Sequence, residues 1–494
     1  MVHALMMRQV ARLGAHLSCE PMPITTSSAR SGTRASALAV LTPLHEFAGL
    51  APLDLAERLR GLPGMTLLES ARPGRRARWS YLAADPLQAI DAADDGPDPF
   101  AGARGLIARM TPAPLTAPFS GGLMGFLGYD LGRRLERLPA IAAVDQWLPE
   151  LRLGLYDQVV AFDHGTGEVW LASRAVDGDT DRLTARRDAI LARLHGTPDA
   201  TPRSSVEPPA AFASNLDRDA YMAMVEAVRR EIARGELYQA NVARRLEAAF
   251  TADPWPVYRR LRTGDPVGYA AYLDLGPDRR TGATRALLSA SPEPFLAVAP
   301  DGTVLTDPIK GTRPRGRTRA EDRALAAELL ASAKDRAENT MIVDVLRNDL
   351  GRVCEPGTVR VPRLCRLERT GSVQHLVSTV TGRLAAGRDP FDLLAASFPG
   401  GSITGAPKIR AMELIERLEP VRRGPYTGAA LWLGPDGTMG SSILIRTLVA
   451  DGARLTLHVG GGITWRSDPG AEWAETQAKA SGPLGAIGAR EVDG

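Results

Sequence analysis

Residues 332–353 read SAKDRAENTMIVDVLRNDLGRV, and this stretch organises the reading of the whole chain. Helical patterning spans 318–350. Thr318 and Glu321 form a capping box at its start. Ser332 then restarts the helix ahead of the apolar run MIVDVL. Asp335 and Glu338 stand at i and i+3, so they share one helix face. The same arrangement recurs near the other end of the chain. Asp468–Pro469 caps and opens a helix, Glu472 and Glu475 repeat the i,i+3 spacing, and Lys479 extends the stripe by one turn. Two such acidic pairs could together hold a divalent cation, because Mg²⁺ takes few carboxylates, keeps waters and bridges to an anionic substrate. Alone, each pair is equally a solvated helix face, and Glu475–Lys479 an ordinary i,i+4 ion pair.

Outward from these helices, the sequence divides into four parts. Residues 1–40 contain Arg and Ser and a single acidic residue, and read as a disordered tail. Residues 41–196 form an N-terminal domain of short alternating segments such as 152–161 and 168–173. Residues 197–213 are rich in Pro, Ser and Ala and read as a linker. Residues 214–490 form the larger unit. Its first helix covers about 217–234, with Tyr221, Met224, Val225, Val228 and Ile232 as the apolar stripe. Strands are expected at 285–298, 427–433, 441–449 and 454–459.

The 494 residues carry a net charge of +3 and are 44% hydrophobic. That balance gives no electrostatic footprint for nucleic acid. No apolar run approaches the ~20 residues that cross a bilayer. The three cysteines form neither a metal-ligand spacing nor a disulfide framework, which suits a reducing cytoplasm. Of the 60 basic residues only four are lysines: Lys310, Lys334, Lys408 and Lys479. A lysine amine can lose its proton and attack carbon, whereas arginine stays protonated.

Glycine and basic residues cluster at 308–316, 398–408 and 460–463. Each reads as a tight turn, or as exposed backbone N–H groups able to hold a carboxylate. Glu293 follows Pro292 at a break in an apolar strand, where partial burial would suit a general acid. His375 has no partner visible by spacing.

Four ordered blocks closely resemble the chorismate-utilising enzymes: GELYQANVARR (235–245), PIKGTRPRG (308–316), ENTMIVDVLRNDLGRV (338–353) and SFPGGSITGAPKIRAMELIERLEP (397–420). Weaker similarity extends through 67–86, 121–130 and 152–157. The family includes anthranilate synthase component I, aminodeoxychorismate synthase component I, and the isochorismate and salicylate synthases. The resemblance implies an α+β fold: a four-layer α/β/β/α sandwich of two related halves. It implies Mg²⁺ as cofactor, with Glu338 and Glu475 as ligands and Asp335 and Glu472 acting through water. It places Arg446, Tyr426, Lys479 and the amides of Gly460, Gly461 and Gly462 on the substrate carboxylates, with Thr312 and Gln239 also lining the substrate. Glu293 matches the general acid and His375 the active-site histidine.

Two positions separate the family's branches. Isochorismate and salicylate synthases carry a lysine, as base for water, where this chain has Gln239. Anthranilate synthases read Pro-Ile-Ala-Gly-Thr where this chain reads Pro-Ile-Lys310-Gly-Thr, and lysine there is the mark of the aminodeoxychorismate branch. The resemblance therefore implies amination of chorismate at C4 through a covalent Lys310 intermediate, on the route to p-aminobenzoate and folate. The rivals are the anthranilate synthase reaction and a non-catalytic chorismate-binding subunit. None of the cysteines stands in a Gly-x-Cys-x-Gly turn, so ammonia is expected from a separate glutamine amidotransferase subunit. Gly440-Ser441 departs from the family's usual Asp-Thr. Leu67-Leu68-Glu69-Ser70 matches a segment that marks a tryptophan site in anthranilate synthases, so Glu69 and Ser70 either hold tryptophan or are inherited packing.

Overall fold

The computed structural model describes residues 38–196 and 207–492, apart from 75–76, 114, 116, 279–280, 370 and 372. Almost all of the expected N-terminal tail, and 197–206 of the expected linker, lie outside the described residues. The rest of the linker is not all irregular: Ala211–Ser214 is a strand at a sheet edge.

Two large sheets carry the fold. The first has 13 strands. Its order runs Ala39–Pro43, Glu168–Arg174, Gln158–Asp163, Trp79–Ala83, Thr66–Glu69, Tyr269–Pro277, Thr284–Ser291, Thr447–Asp451, Arg454–Ile463, Gln239–Ala249, Ala211–Ser214, Arg490–Val492, with Gly405–Ala406 beside Gln239–Ala249. The second has 10 strands. Its order runs Ile309–Pro314, Val373–Arg383, Thr303–Thr306, Pro294–Val298, Met439–Ile443, Ala429–Leu433, Gly122–Leu127, Leu151–Tyr156, Gln88–Ile90, with Arg360–Arg369 against Val373–Arg383. Pairing is antiparallel except between Arg490–Val492 and Ala211–Ser214. Both sheets draw strands from either side of 197–206, so the N-terminal and C-terminal portions build one body.

Three segments expected as single strands are each two strands in different sheets. The chain changes sheet between Tyr156 and Gln158, between Ser291 and Pro294, and between Ile443 and Thr447. Apolar alternation runs through each break, so periodicity alone cannot see it. The breaks sit at Asp157, at Pro292–Glu293, and at Leu444–Arg446, where Arg446 takes a φ of 51°. A third correction concerns Gly460–Gly462. They lie inside the strand Arg454–Ile463, paired with Ala243, Val242 and Asn241, and do not form a turn.

The sheets face one another across Phe126, Leu273, Leu287, Ala430, Leu444 and Val449, all buried. Tyr81, Phe119 and Trp432 continue this layer as an aromatic cluster. Helices cover the outer faces. Pro52–Leu59, Thr180–His195, Trp255–Gly264 and Pro469–Ala486 bury Leu55, Leu194, Trp255 and Leu484 on the first sheet. Ala333–Gly351 and Pro390–Ser397 bury Ile342, Leu346, Phe391 and Leu394 on the second. Each such side chain contributes roughly 1.5–3 kcal/mol by leaving water. The result is the four-layer α/β/β/α sandwich of an α+β protein.

The helix starts follow the sequence. Asp217, Thr318, Ser332 and Asp468 each accept a hydrogen bond from a backbone N–H three residues on. Ser332 thereby fixes where Asp335 and Glu338 emerge, and Asp468 does the same for Glu472 and Glu475.

Candidate active site

The sheet crossings carry functional side chains to the seam between the sheets. Glu293 occupies one crossing and Arg446 another. Lys310 lies on the edge strand Ile309–Pro314, opposite Leu376, and the next residue is bulged out of register before Thr312 meets His375. Gly311 makes the bulge possible. Its φ is 75°, and a Cβ there would sit 2.9 Å from Asp335 Cβ. The strand thus lies directly on the start of the Ala333–Gly351 helix.

Lys310 Nζ donates to the Ser402 carbonyl oxygen at 3.2 Å, and Asn241 Nδ2 donates to the same oxygen at 3.1 Å. The Ser402 side chain neighbours the Glu293 carboxyl and favours its ionised form. Burial pushes the Glu293 carboxyl above the usual range, against the pull of Lys310. Burial pulls the Lys310 ammonium below its ordinary value, against the attraction of Glu293 and Glu338. Low dielectric thus moves both partners toward their uncharged forms. A neutral amine beside a protonated carboxyl is a nucleophile beside an acid.

The two acidic helices bring their carboxylates within electrostatic reach of this pair and of one another. Burial raises Glu338, with Lys310 and Lys334 opposing and Asp335 and Glu472 reinforcing the shift. Glu338 Oε1 is buried and has no hydrogen-bond partner. Burial also raises Glu472, aided by Glu475. Burial would raise Glu475 as well, but Lys479, at 2.7 Å, helps hold it below the usual range. Gly461 faces the cluster: a Cβ there would lie 3.1 Å from Glu472 Oε2 and 3.6 Å from Glu475 Oε1. Asp335 is within 3.4 Å of Arg313.

All of these donors are hard carboxylate oxygens, the set that suits Mg²⁺. An orphaned carboxylate oxygen and a glycine that keeps the cradle open fit such an ion. Among the described residues no three His, Cys, Asp or Glu side chains converge tightly enough to enclose one. An ion here would therefore keep waters and take further oxygens from a ligand, as Mg²⁺ does.

The remaining predicted residues stand on the strands Ile309–Pro314, Val373–Arg383 and Gln239–Ala249 and just before the strands Ala429–Leu433 and Thr447–Asp451. Thr312 Oγ1 and His375 Nδ1 are 2.9 Å apart, and burial with the nearby Arg446 charge pulls His375 down to about 4. His375 is thus neutral near pH 7. Arg446 is partly exposed and lies 3.5 Å from Asp265. Tyr426 is stacked on His458, with ring centroids 5.0 Å apart and burial pushing its hydroxyl up to about 12. Gln239 is fully buried. Its Nε2 donates to Asn241 Oδ1 at 3.1 Å, while its Oε1 has no partner. Lys479 Nζ also donates to the Gly460 carbonyl oxygen at 2.8 Å. The neighbouring strand Thr447–Asp451 pairs only as far as Leu457, so Gly460–Gly462 have one strand edge without a strand neighbour. Apart from the Gly460 carbonyl taken by Lys479, backbone groups on that edge have no strand partner and can meet a ligand.

Glu69 and Ser70 are not in this site. They line a separate cavity of about 410 Å³ between the sheets, together with Trp79, Phe295 and Ser441. Arg262 and Tyr258 take the Glu69 carboxylate, and the Ser70 hydroxyl donates to the Trp79 carbonyl oxygen.

Sequence reasoning missed Asn241 and the central place of Ser402, although both lie in quoted blocks. It also missed Arg423. This buried guanidinium pairs with Glu419 and donates to the carbonyls of Ile403 and Asn241. It thereby ties the Ser402 turn to the Gln239 strand. An arginine four residues after a glutamate was the available signal, but nothing local marks that pair as buried.

The sequence profile of the chorismate binding enzymes matches residues 66–485. Anthranilate synthase component 1 of Streptomyces coelicolor is 40% identical, covering 90% of this chain and 89% of that one. Aminodeoxychorismate synthase component 1 of Klebsiella aerogenes is 44% identical, covering 73% of this chain and 75% of that one. The crystal structure of anthranilate synthase component I from Streptococcus pneumoniae superposes with a TM-score of 0.73 at 30% identity, over 83% of this chain and 93% of that one. The menaquinone-specific isochorismate synthase of Escherichia coli, at 18% identity and a TM-score of 0.70, shares the fold. With its four signature blocks gathered around one acidic, lysine-bearing seam, the chain belongs to the chorismate-binding enzymes, and it acts on chorismate.

Proposed function

We propose that the chain is the chorismate-aminating component of an aminodeoxychorismate synthase, which replaces the C4 hydroxyl of chorismate with an amino group. The observation that carries this reading is Lys310, a half-buried amine beside Glu293 that is pulled toward its neutral form. Neutral Lys310 Nζ attacks C2 of chorismate. The ring double bonds shift and the C4 hydroxyl leaves as water, taking its proton from Glu293. Ammonia then attacks C4, the double bonds shift back, the C2–Nζ bond breaks to release neutral Lys310, and the new C4 ammonium gives up a proton that restores Glu293. One water leaves, one ammonia is gained, and the enolpyruvyl group is kept. Proton donation from Glu293 contributes about 10²–10⁴-fold.

Glu338 and Glu475 would hold Mg²⁺, with Asp335 and Glu472 acting through water. When bound, that ion neutralises and orients the substrate's ring carboxylate. Arg446, Tyr426, Lys479 and the backbone of Gly460–Gly462 grip the carboxylates, and Thr312, Gln239 and His375 line the ring. Gln239 has no basic nitrogen to activate water, which favours ammonia as the nucleophile. The name "component 1" carried by the relatives implies a second component, and a glutamine amidotransferase subunit would supply the ammonia.

Anthranilate synthase component I is the second reading, favoured by the greater share of the chain its relatives cover. Incubation with chorismate, Mg²⁺ and ammonium, followed by mass spectrometry, separates the two. Aminodeoxychorismate without pyruvate, lost in Lys310→Ala, supports the first. Anthranilate with pyruvate establishes the second.

A further inference from the structure

Three of the chain's four lysines converge on one place. Lys310 lies beneath Glu338, and Lys479 pairs with Glu475. Lys334 Nζ is 3.9 Å from Glu338 Oε1, one turn before it on the same helix. Its charge also reaches Glu472 and Glu475 on the facing helix. The fourth, Lys408, is locked away against Asp349 and the Ser397 carbonyl. In a chain whose other basic residues are all arginine, the acidic seam keeps lysine at each of these three positions.

The Lys334 contact is an attraction without a bond. At 3.9 Å it is beyond hydrogen-bond reach, and Glu338 Oε1 has no other partner. The Lys334 side chain is 51% exposed, so it can move. A guanidinium in its place would clamp Glu338 with a planar, bidentate fork. An ammonium on a four-carbon stem neutralises a carboxylate and lets go of it.

We propose that Lys334 is a displaceable counter-ion of the acidic site: it neutralises Glu338, Glu472 and Glu475 until a divalent cation takes Glu338, and then turns to the carboxylates of the incoming anionic substrate. This rests on the magnesium reading above. It links the two binding events through one side chain. The charge that opposes the cation before it binds becomes a charge that favours the substrate afterwards.

The test is calorimetric titration of Mg²⁺ into substrate-free wild type, Lys334→Met and Lys334→Arg, with chorismate KM measured at saturating Mg²⁺. Lys334→Met removes the competitor, so Mg²⁺ binds several-fold more tightly, while KM rises about tenfold with kcat little changed. Lys334→Arg keeps the charge but clamps Glu338, so Mg²⁺ binds several-fold more weakly. Equal Mg²⁺ affinity in all three proteins overturns the counter-ion role and leaves the magnesium reading intact. A wild type that shows no saturable Mg²⁺ binding overturns both.

Discussion

Lys310 Nζ reaches the Ser402 carbonyl oxygen at 3.2 Å, and the Ser402 side chain neighbours the Glu293 carboxyl. One residue of the Gly401–Thr404 turn therefore contacts the proposed nucleophile and neighbours the proposed acid. This geometry makes the pH behaviour of the reaction predictable. Attack needs a neutral Lys310, whose pKa is lowered from 10.5, and departure of the hydroxyl needs a protonated Glu293, whose pKa is raised from 4.5. The kcat/KM profile should be bell-shaped, with one limb set by the Lys310 amine and the other by the Glu293 carboxyl. Glu293→Gln should lower kcat by about 10²–10⁴-fold and remove the Glu293 limb. A profile unchanged in Glu293→Gln would remove this residue from the chemistry.

The half-buried amine also costs stability. The folded state binds a proton at Lys310 less readily than the unfolded state, so the penalty is full below the folded pKa and fades as pH rises toward 10.5. Lys310→Met should therefore abolish amination while raising Tm at neutral pH. The gain should shrink in alkaline buffer. A melting temperature that drops at pH 7 would show the lysine to be stabilising instead.

Gly461 leaves room that the acidic cluster needs, since its Cβ would stand 3.1 Å from Glu472 Oε2. Gly461→Ala should weaken Mg²⁺ binding about tenfold, the effect of displacing a carboxylate that supports a metal ligand. Titration followed by activity and by calorimetry should agree. Unchanged Mg²⁺ affinity would place the ion elsewhere.

Arg423 and Glu419 form a pair with side chains only 2% and 5% exposed. Arg423→Met strands the Glu419 carboxylate, and the expected loss is about 3–5 kcal/mol in denaturant unfolding. A loss below ~1 kcal/mol, within the range of exposed pairs, would mean that the charge is not truly enclosed.

Much of this was legible in the sequence because it is local. Asp217, Thr318, Ser332 and Asp468 set helix starts by hydrogen bonds that span three residues, and the i,i+3 acidic pairs follow from helix geometry alone. The identity of position 310, lysine rather than alanine, is likewise readable without a fold.

The tertiary structure decided what local pattern cannot encode. The apolar alternation through 285–298 and 441–449 continues across two sheet crossings, so nothing in it marks Glu293 and Arg446 as seam residues. Gly460–Gly462 look like a turn, yet pairing with a strand more than 200 residues earlier keeps them extended. The shifts of Lys310 and Glu293 arise from burial, which exists only once distant segments have closed over them. Sequence alone supplied the chemical groups and their helical spacing. Long-range packing supplied the low dielectric and the placement that move an ordinary lysine and glutamate toward their uncharged forms.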